Sequence, residues 1–300
     1  MVPVIAGRRS SVAGSVNLMS EVHQSDRIPG MSQANELPEY VEVYRDRLWH
    51  RESENRIEDA LSAERFIERV GFCSAMTDCR RPGPSLYIAV CGRRDAYMPR
   101  NVQKDPESRL AWSIKDDVMR RGRVYYAKLK RGRLTFIARR LLPYFHALWG
   151  VPADKEGTFL SDDARLVLHA LRREWEMGTR DLRLASGIAE RGRFNRAIDE
   201  LQKTFKVIPS DAIYKPTFSY IWSIAESRFN DELELRVSRE DALKEIASAY
   251  LSCSGMTLRG ELARVTGLSR AEAGSGSWSL VDDGAALRLE PGVYSWRELV

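Results

Sequence analysis

Ten lysines and arginines fall between Lys115 and Arg140, against only Asp116 and Asp117. That is a local balance of +8 in a chain whose net charge is +5, so the remainder carries −3. A concentrated cationic segment attracts polyanions, and it is the composition a nucleic-acid contact needs. Its middle, Lys130-Arg131-Gly132-Arg133, separates two strand-like runs, 124–129 and 134–137, and reads as a tight hairpin turn with Lys128 just before it. A tip with three cations is shaped to enter a groove or lie along a phosphate backbone. Tyr125, Tyr126 and Phe136 interleave with the charge, which favours that reading over an edge hairpin kept soluble by its cations. A second polar set follows at Arg191, Arg193, Asn195, Arg196, Asp199, Gln202 and Lys203. Arg and Lys suit phosphates, while Arg, Asn and Gln suit purine edges in the major groove. Asp199 and Glu200 oppose close phosphate packing at the middle of that stretch.

Other chemistries find little support. Cys73, Cys79, Cys91 and Cys253 lack C-x-x-C spacing, and none has a histidine at metal-ligand spacing. They read as thiols in a reducing cytosol, with no metal and no cofactor expected. His146 stands alone on a short apolar helix and reads as a packed group rather than a catalyst. Hydrophobic residues are 43% of the chain and charged ones 30%, an ordinary soluble profile. No apolar run approaches the roughly 18 residues that span a bilayer. The expected partner is double-stranded DNA, with no membrane, in the cytoplasm at the nucleoid.

The elements that must position these residues centre on 161–224. Ser161 caps a helix whose buried stripe is Ala164, Val167, Leu168, Leu171 and Trp175, and Gly178 breaks it. Thr179 caps a short helix to Ala185, ended at Gly187 in a left-handed turn. Arg193 opens a third helix, buried along Phe194, Ala197, Ile198, Leu201 and Phe205. Two strands, 207–208 and 220–222, flank a polar loop. Helix, short helix, turn, helix, hairpin is the helix-turn-helix plan with a wing, and the third helix would read DNA. A second copy starts at Ser238. Thr257 caps its short helix, Gly267 ends it, and Ser269-Arg270-Ala271-Glu272 forms a capping box. After that box Ala273-Gly274-Ser275-Gly276-Ser277 makes a poor reading helix, and 278–280, 286–289 and 293–296 are candidate strands. The predicted fold is therefore mainly α with short β hairpins, built on tandem winged helix-turn-helix units. The predicted divisions are a disordered lead at 1–37, a helical domain with the basic hairpin at 38–150, a winged helix at 151–232 and a degenerate one at 233–300.

Further motifs carry a family resemblance. Arg47-Leu48-Trp49, Phe66-Ile67 with Val70-Gly71-Phe72, Pro84-Ser85-Leu86-Tyr87 with Ala89-Val90, and Leu142-Pro143-Tyr144-Phe145 with Ala147-Leu148 resemble the bacterial crosslink-repair DNA glycosylases of the AlkZ and YcaQ family, and within it the AlkZ-related branch. The resemblance runs from about Val43 to Leu268. It implies tandem winged helices around a DNA-sized cleft with a β element, and hydrolysis of the N-glycosidic bond of alkylated or crosslinked bases. It also implies a Gln-x-Gln or Gln-x-Asp pair after a Leu-Gly near the N-terminus, placed to position water at the anomeric carbon. The matching stretch is Gly71-Phe72-Cys73-Ser74-Ala75-Met76, so that pair is replaced by Ser74 and Met76. Methionine cannot hold that water. Asp78 and Glu68 are candidate replacement acids, and Asp116 beside Trp112 and Lys115 is a third, or else a helix cap or ion-pair partner. Two readings follow: a glycosylase-like repair protein with an altered site, or a non-catalytic winged-helix regulator or damage-recognition protein.

Overall fold

The computed structural model describes residues 37–130 and 132–299. The expected lead at 1–37 falls almost wholly outside the described residues, as does Arg131.

One order of elements, helix-strand-helix-helix-strand-strand, recurs three times. After α1 (Glu39–Leu48), the first pass is α2 (Ala60–Val70), β1 (Phe72–Ser74), α3 (Leu86–Cys91), α4 (Pro106–Arg121), β2 (Tyr125–Lys128) and β3 (Leu134–Ile137). Two connecting helices follow, α5 (Leu142–Trp149) and α6 (Glu156–Phe159). The second pass is α7 (Asp162–Glu174), β4 (Glu176–Gly178), α8 (Thr179–Ala185), α9 (Arg191–Lys203), β5 (Val207–Ile213) and β6 (Ser219–Ile224). Then α10 (Glu226–Glu234) leads to the third: α11 (Arg239–Ser254), β7 (Met256–Thr257), α12 (Glu261–Thr266), α13 (Arg270–Asp282), β8 (Ala286–Glu290) and β9 (Val293–Trp296). Each pass closes its own antiparallel sheet of three strands with the last strand in the middle: β1-β3-β2, β4-β6-β5 and β7-β9-β8. The architecture is mainly helical with small antiparallel sheets.

Local chemistry fixes the helix ends. Ser161 Oγ accepts from the Ala164 amide, Ser238 Oγ from Asp241, and Ser269 with Glu272 completes the predicted capping box. Gly187 and Gly267 take the left-handed conformation that the sequence required of them (φ 69° and 93°). Several boundaries move. Helix α7 stops at Trp175 rather than Gly178, and the freed Glu176–Gly178 pairs with β6 as a strand. Thr257 lies in β7 and does not cap α12, whose N-cap is Gly260. Residues 278–280 belong to α13 rather than to a strand. The displaced segments 176–178, 256–257 and 278–280 have two or three residues each, too short for periodicity to register.

Burial corrects a second expectation. Tyr125, Tyr126 and Phe136 are at most 2% exposed and offer no stacking face to a nucleic acid. Successive strand residues point to opposite faces, so Tyr125 and Tyr126 enter different cores. Tyr125 stacks on Phe205 at 5.2 Å between ring centres, in a core shared by α5, α11 and the third pass. Tyr126 stacks on Phe136 at 4.5 Å, within the core of the first pass. The second pass has its own core of Leu168, Leu171, Phe194, Leu201 and Trp222.

Helix α13 forms despite its glycines because Gly276 lets it approach α11. A Cβ at that position would meet the Leu243 carbonyl oxygen at 2.3 Å. Gly276→Ala is therefore expected to destabilise the protein by roughly 1–3 kcal/mol, the usual cost of overpacking. A urea midpoint unchanged from that of the parent would refute this close approach.

Candidate nucleic-acid interface

The hairpin, the loop after β1, helix α9 and strand β6 enclose a cleft of about 620 Å³. Its walls are Met76 and Thr77 after β1, then Lys128, Gly132, Arg133 and Leu134 on the hairpin. Asn195, Ile198, Asp199 and Gln202 on α9 face them, with Tyr220 and Trp222 from β6. Three regions remote in sequence thus meet: the Met76 position, the basic hairpin and the polar face of the third helix.

The hairpin is closed by its own backbone, with Leu129 N–H donating to the Arg133 carbonyl at 3.0 Å and Gly132 N–H to Leu129 at 2.7 Å. Gly132 takes φ 69°, a conformation glycine adopts without strain. Two contacts tie β2 to α9. The Lys128 amide donates to Gln202 Oε1 at 2.9 Å, and Lys128 Nζ donates to both Asp199 oxygens at 2.8 and 2.9 Å. Gln202 is 3% exposed, so it braces the cleft rather than reaching outward. Asn195, Asp199 and Gln202 do share one helix face, at spacings of four and three. That face looks at the hairpin. Arg191 and Arg196 remain exposed, Arg193 pairs with Asp163 at 2.6 Å, and Lys203 is half-buried and not among the cleft-lining residues.

The +8 of the basic block is largely matched by carboxylates from elsewhere. Glu64 pairs with Arg121 at 2.6 Å, Asp211 with Arg120 at 3.0 Å, Glu232 with Arg139 at 2.6 Å and Glu68 with Arg140 at 3.3 Å. The sequence count missed this because the partners lie 57 to 93 positions away. Lys130 is exposed and Arg133 half-buried at the cleft edge.

The three candidate acids lie elsewhere. Asp78 is buried, bound by the Arg80 guanidinium, which holds its carboxyl below the usual range, and by the Met98 amide at 3.2 Å. Glu68 is exposed on α2 against Arg140. Asp116 is buried, with one oxygen on the Lys115 ammonium and the other accepting from the Tyr214 hydroxyl. It belongs to a separate cavity of about 560 Å³ lined also by Trp112 and Phe218. The carboxylate in the cleft wall is Asp199, together with Thr77, whose hydroxyl oxygen is buried without a hydrogen-bond partner. Sequence reasoning missed Thr77, although it adjoins Met76. Ser74 is held in β1 opposite Thr135, its amide donating to the Pro84 carbonyl at 3.0 Å.

His146 is half-buried edge-on to Phe205, and burial, Lys206 and Arg236 push its pKa down to about 4. It faces a cavity that also holds Asp154, Arg172, Glu226 and Glu234. The unfolded chain binds that proton near pH 6.5 and the folded chain near 4. Stability contributed by the neutral ring is therefore complete above pH 6.5 and lost as pH falls toward 4. The loss is expected to reach roughly 1–2 kcal/mol, allowing for partial exposure. His146→Leu should flatten that acid limb, and an unchanged slope of urea midpoint against pH would refute the assignment.

No helix among the described residues is long and apolar enough to cross a membrane. No curated protein matches the chain by sequence. Among solved structures, the DNA glycosylase AlkZ of Streptomyces sahachiroi superposes over 86% of this chain and 69% of its own, with a TM-score of 0.54 and 12% identity. At that identity the likeness is one of fold. The AlkZ-related family model matches residues 57–264, which spans β1, the hairpin and α9, and so the chain belongs to the AlkZ-related family.

Proposed function

We propose that this protein binds double-stranded DNA across the cleft between the basic hairpin and α9, as a glycosylase-like DNA-repair protein of the cytoplasm and nucleoid. The observation that carries the reading is the cleft itself, which gathers Met76, Lys128, Arg133 and Asn195 from three separate regions. Each helix-strand-helix-helix-strand-strand pass is a winged helix-turn-helix unit. On this reading the described chain divides into 38–150, 151–232 and 233–300, and the first division holds a winged unit of its own. Lys130, Arg131, Arg133 and Arg191 supply phosphate contacts. Lys128, Arg193 and Arg196 exchange the carboxylates of Asp199, Asp163 and Glu190 for a phosphate.

A second reading, a non-catalytic regulator or damage-recognition protein, is favoured by one residue. Met76 occupies the cleft wall where hydrolysis would require a water-holding side chain.

A base-release assay on alkylated and crosslinked duplexes, beside a binding titration, separates the two. Binding should weaken with salt, at a log-log slope of about 0.9 per phosphate neutralised and a few units in all. A flat salt response, or no binding at low salt, refutes DNA binding by this cleft. Binding without base release selects the second reading.

A further inference from the structure

We propose that Lys128 and Asp199 form a lyase pair that cleaves DNA at abasic sites, an inference that rests on DNA binding in the cleft. Lys128 is the lysine in the cleft wall, and its side chain remains 33% exposed there. Its ammonium touches both oxygens of Asp199, itself 35% exposed, and Gln202 fixes the strand that carries it. Lysine amines are the side chains that form Schiff bases with carbonyl substrates. A DNA strand offers such a carbonyl at an abasic site, where the ring-opened sugar is an aldehyde at C1′.

The cleft replaces hydrolytic chemistry with this one. Met76 positions no water, whereas an amine attacks the same carbon without one. Solvent takes one proton from the Lys128 ammonium, the amine so freed adds to C1′, and the carbinolamine gains a proton on its hydroxyl and loses water to give a protonated imine. Asp199, within 3 Å of the amine, takes the proton from C2′. The electron pair of that C–H bond forms the C2′–C3′ double bond, and the bond from C3′ to the phosphate oxygen breaks. The downstream strand leaves with a 5′-phosphate. Water then hydrolyses the imine and returns the amine.

The test uses the full chain and a duplex with one abasic site, made by enzymatic removal of a single uracil. Sodium borohydride should trap a covalent adduct, and peptide mapping should place it on Lys128. Lys128→Arg keeps the charge and the reach to Asp199 but cannot form the imine, so it should bind the duplex and trap nothing. Asp199→Asn should still trap but cleave at least about 100-fold more slowly, the usual scale of a lost general base. Lys244→Ala, on α11, should match the parent. An adduct on Lys128 with that split between trapping and cleavage supports the proposal. Binding without an adduct, or an adduct on another lysine, overturns it and leaves DNA binding intact. Absence of binding to any duplex overturns both.

Discussion

Asp116→Ala is expected to destabilise the protein by roughly 3–5 kcal/mol, the cost of leaving a buried charge without its partner. Lys115 is 0% exposed, and its ammonium sits on Asp116 beneath the Trp112 ring at 4.6 Å, with Tyr126 and Tyr220 within 6 Å. Burial pulls the Lys115 pKa down, and Asp116 opposes that pull. The same carboxylate accepts from Tyr214, which also accepts from the Trp112 indole at 2.6 Å. Aromatic faces stabilise a cation less than a carboxylate does in such a site, so the cage does not compensate for the lost partner. A loss of that size should lower the melting temperature by on the order of 10 °C. Lys115→Met with Asp116→Ala should recover most of it, since removing both charges is often neutral. If Asp116→Ala keeps the parental melting temperature yet abolishes base release, Asp116 is a catalytic acid after all.

That cluster shows where the sequence was informative and where it was not. Lys115 and Asp116 are adjacent, so their pairing was open to inspection, and an ion pair was one of the three roles open to Asp116, beside a catalytic acid and a helix cap. The third member, Tyr214, is 98 positions away and came into view only when β5 packed against α4. The same division runs through the cleft. The hairpin was visible because Lys130 to Arg133 interrupts two apolar runs, and α9 because Phe194, Ala197, Ile198 and Leu201 recur at helical spacing. What α9 faces is a matter of tertiary packing. Helical periodicity separates a buried side from a polar one, but it does not say that Gln202 is buried by a strand 74 residues away. The first pass of the repeat was missed because β1 has three residues and its two following helices are separated by fourteen. Its strand order became legible only through the register of Phe72 with Ile137 and Tyr125 with the same residue.

Ser74→Gln with Met76→Gln is expected to raise release of alkylated bases from duplex DNA by about 100-fold to 1,000-fold. That is the scale on which one aligned polar group alters a rate at a charged transition state. Strand β1 ends at Ser74 and the chain bends at Ala75 and Met76, so of the two positions Met76 is the one that lines the cleft. Thr77 beside it carries a hydroxyl without a partner that could share a water with a new amide. Ser74 is the more constrained position, half-buried between Thr135 and Ser85, so glutamine there must extend toward the cleft or strain the sheet. The melting temperature and the duplex affinity of the variant therefore belong in the same experiment. A folded variant that binds as the parent does and gains base release shows a cleft built for glycosidic chemistry and lacking its water-holding pair. A folded, binding variant that stays at background shows that the cleft no longer presents a sugar to these positions, which leaves the amine of Lys128 as its reactive group.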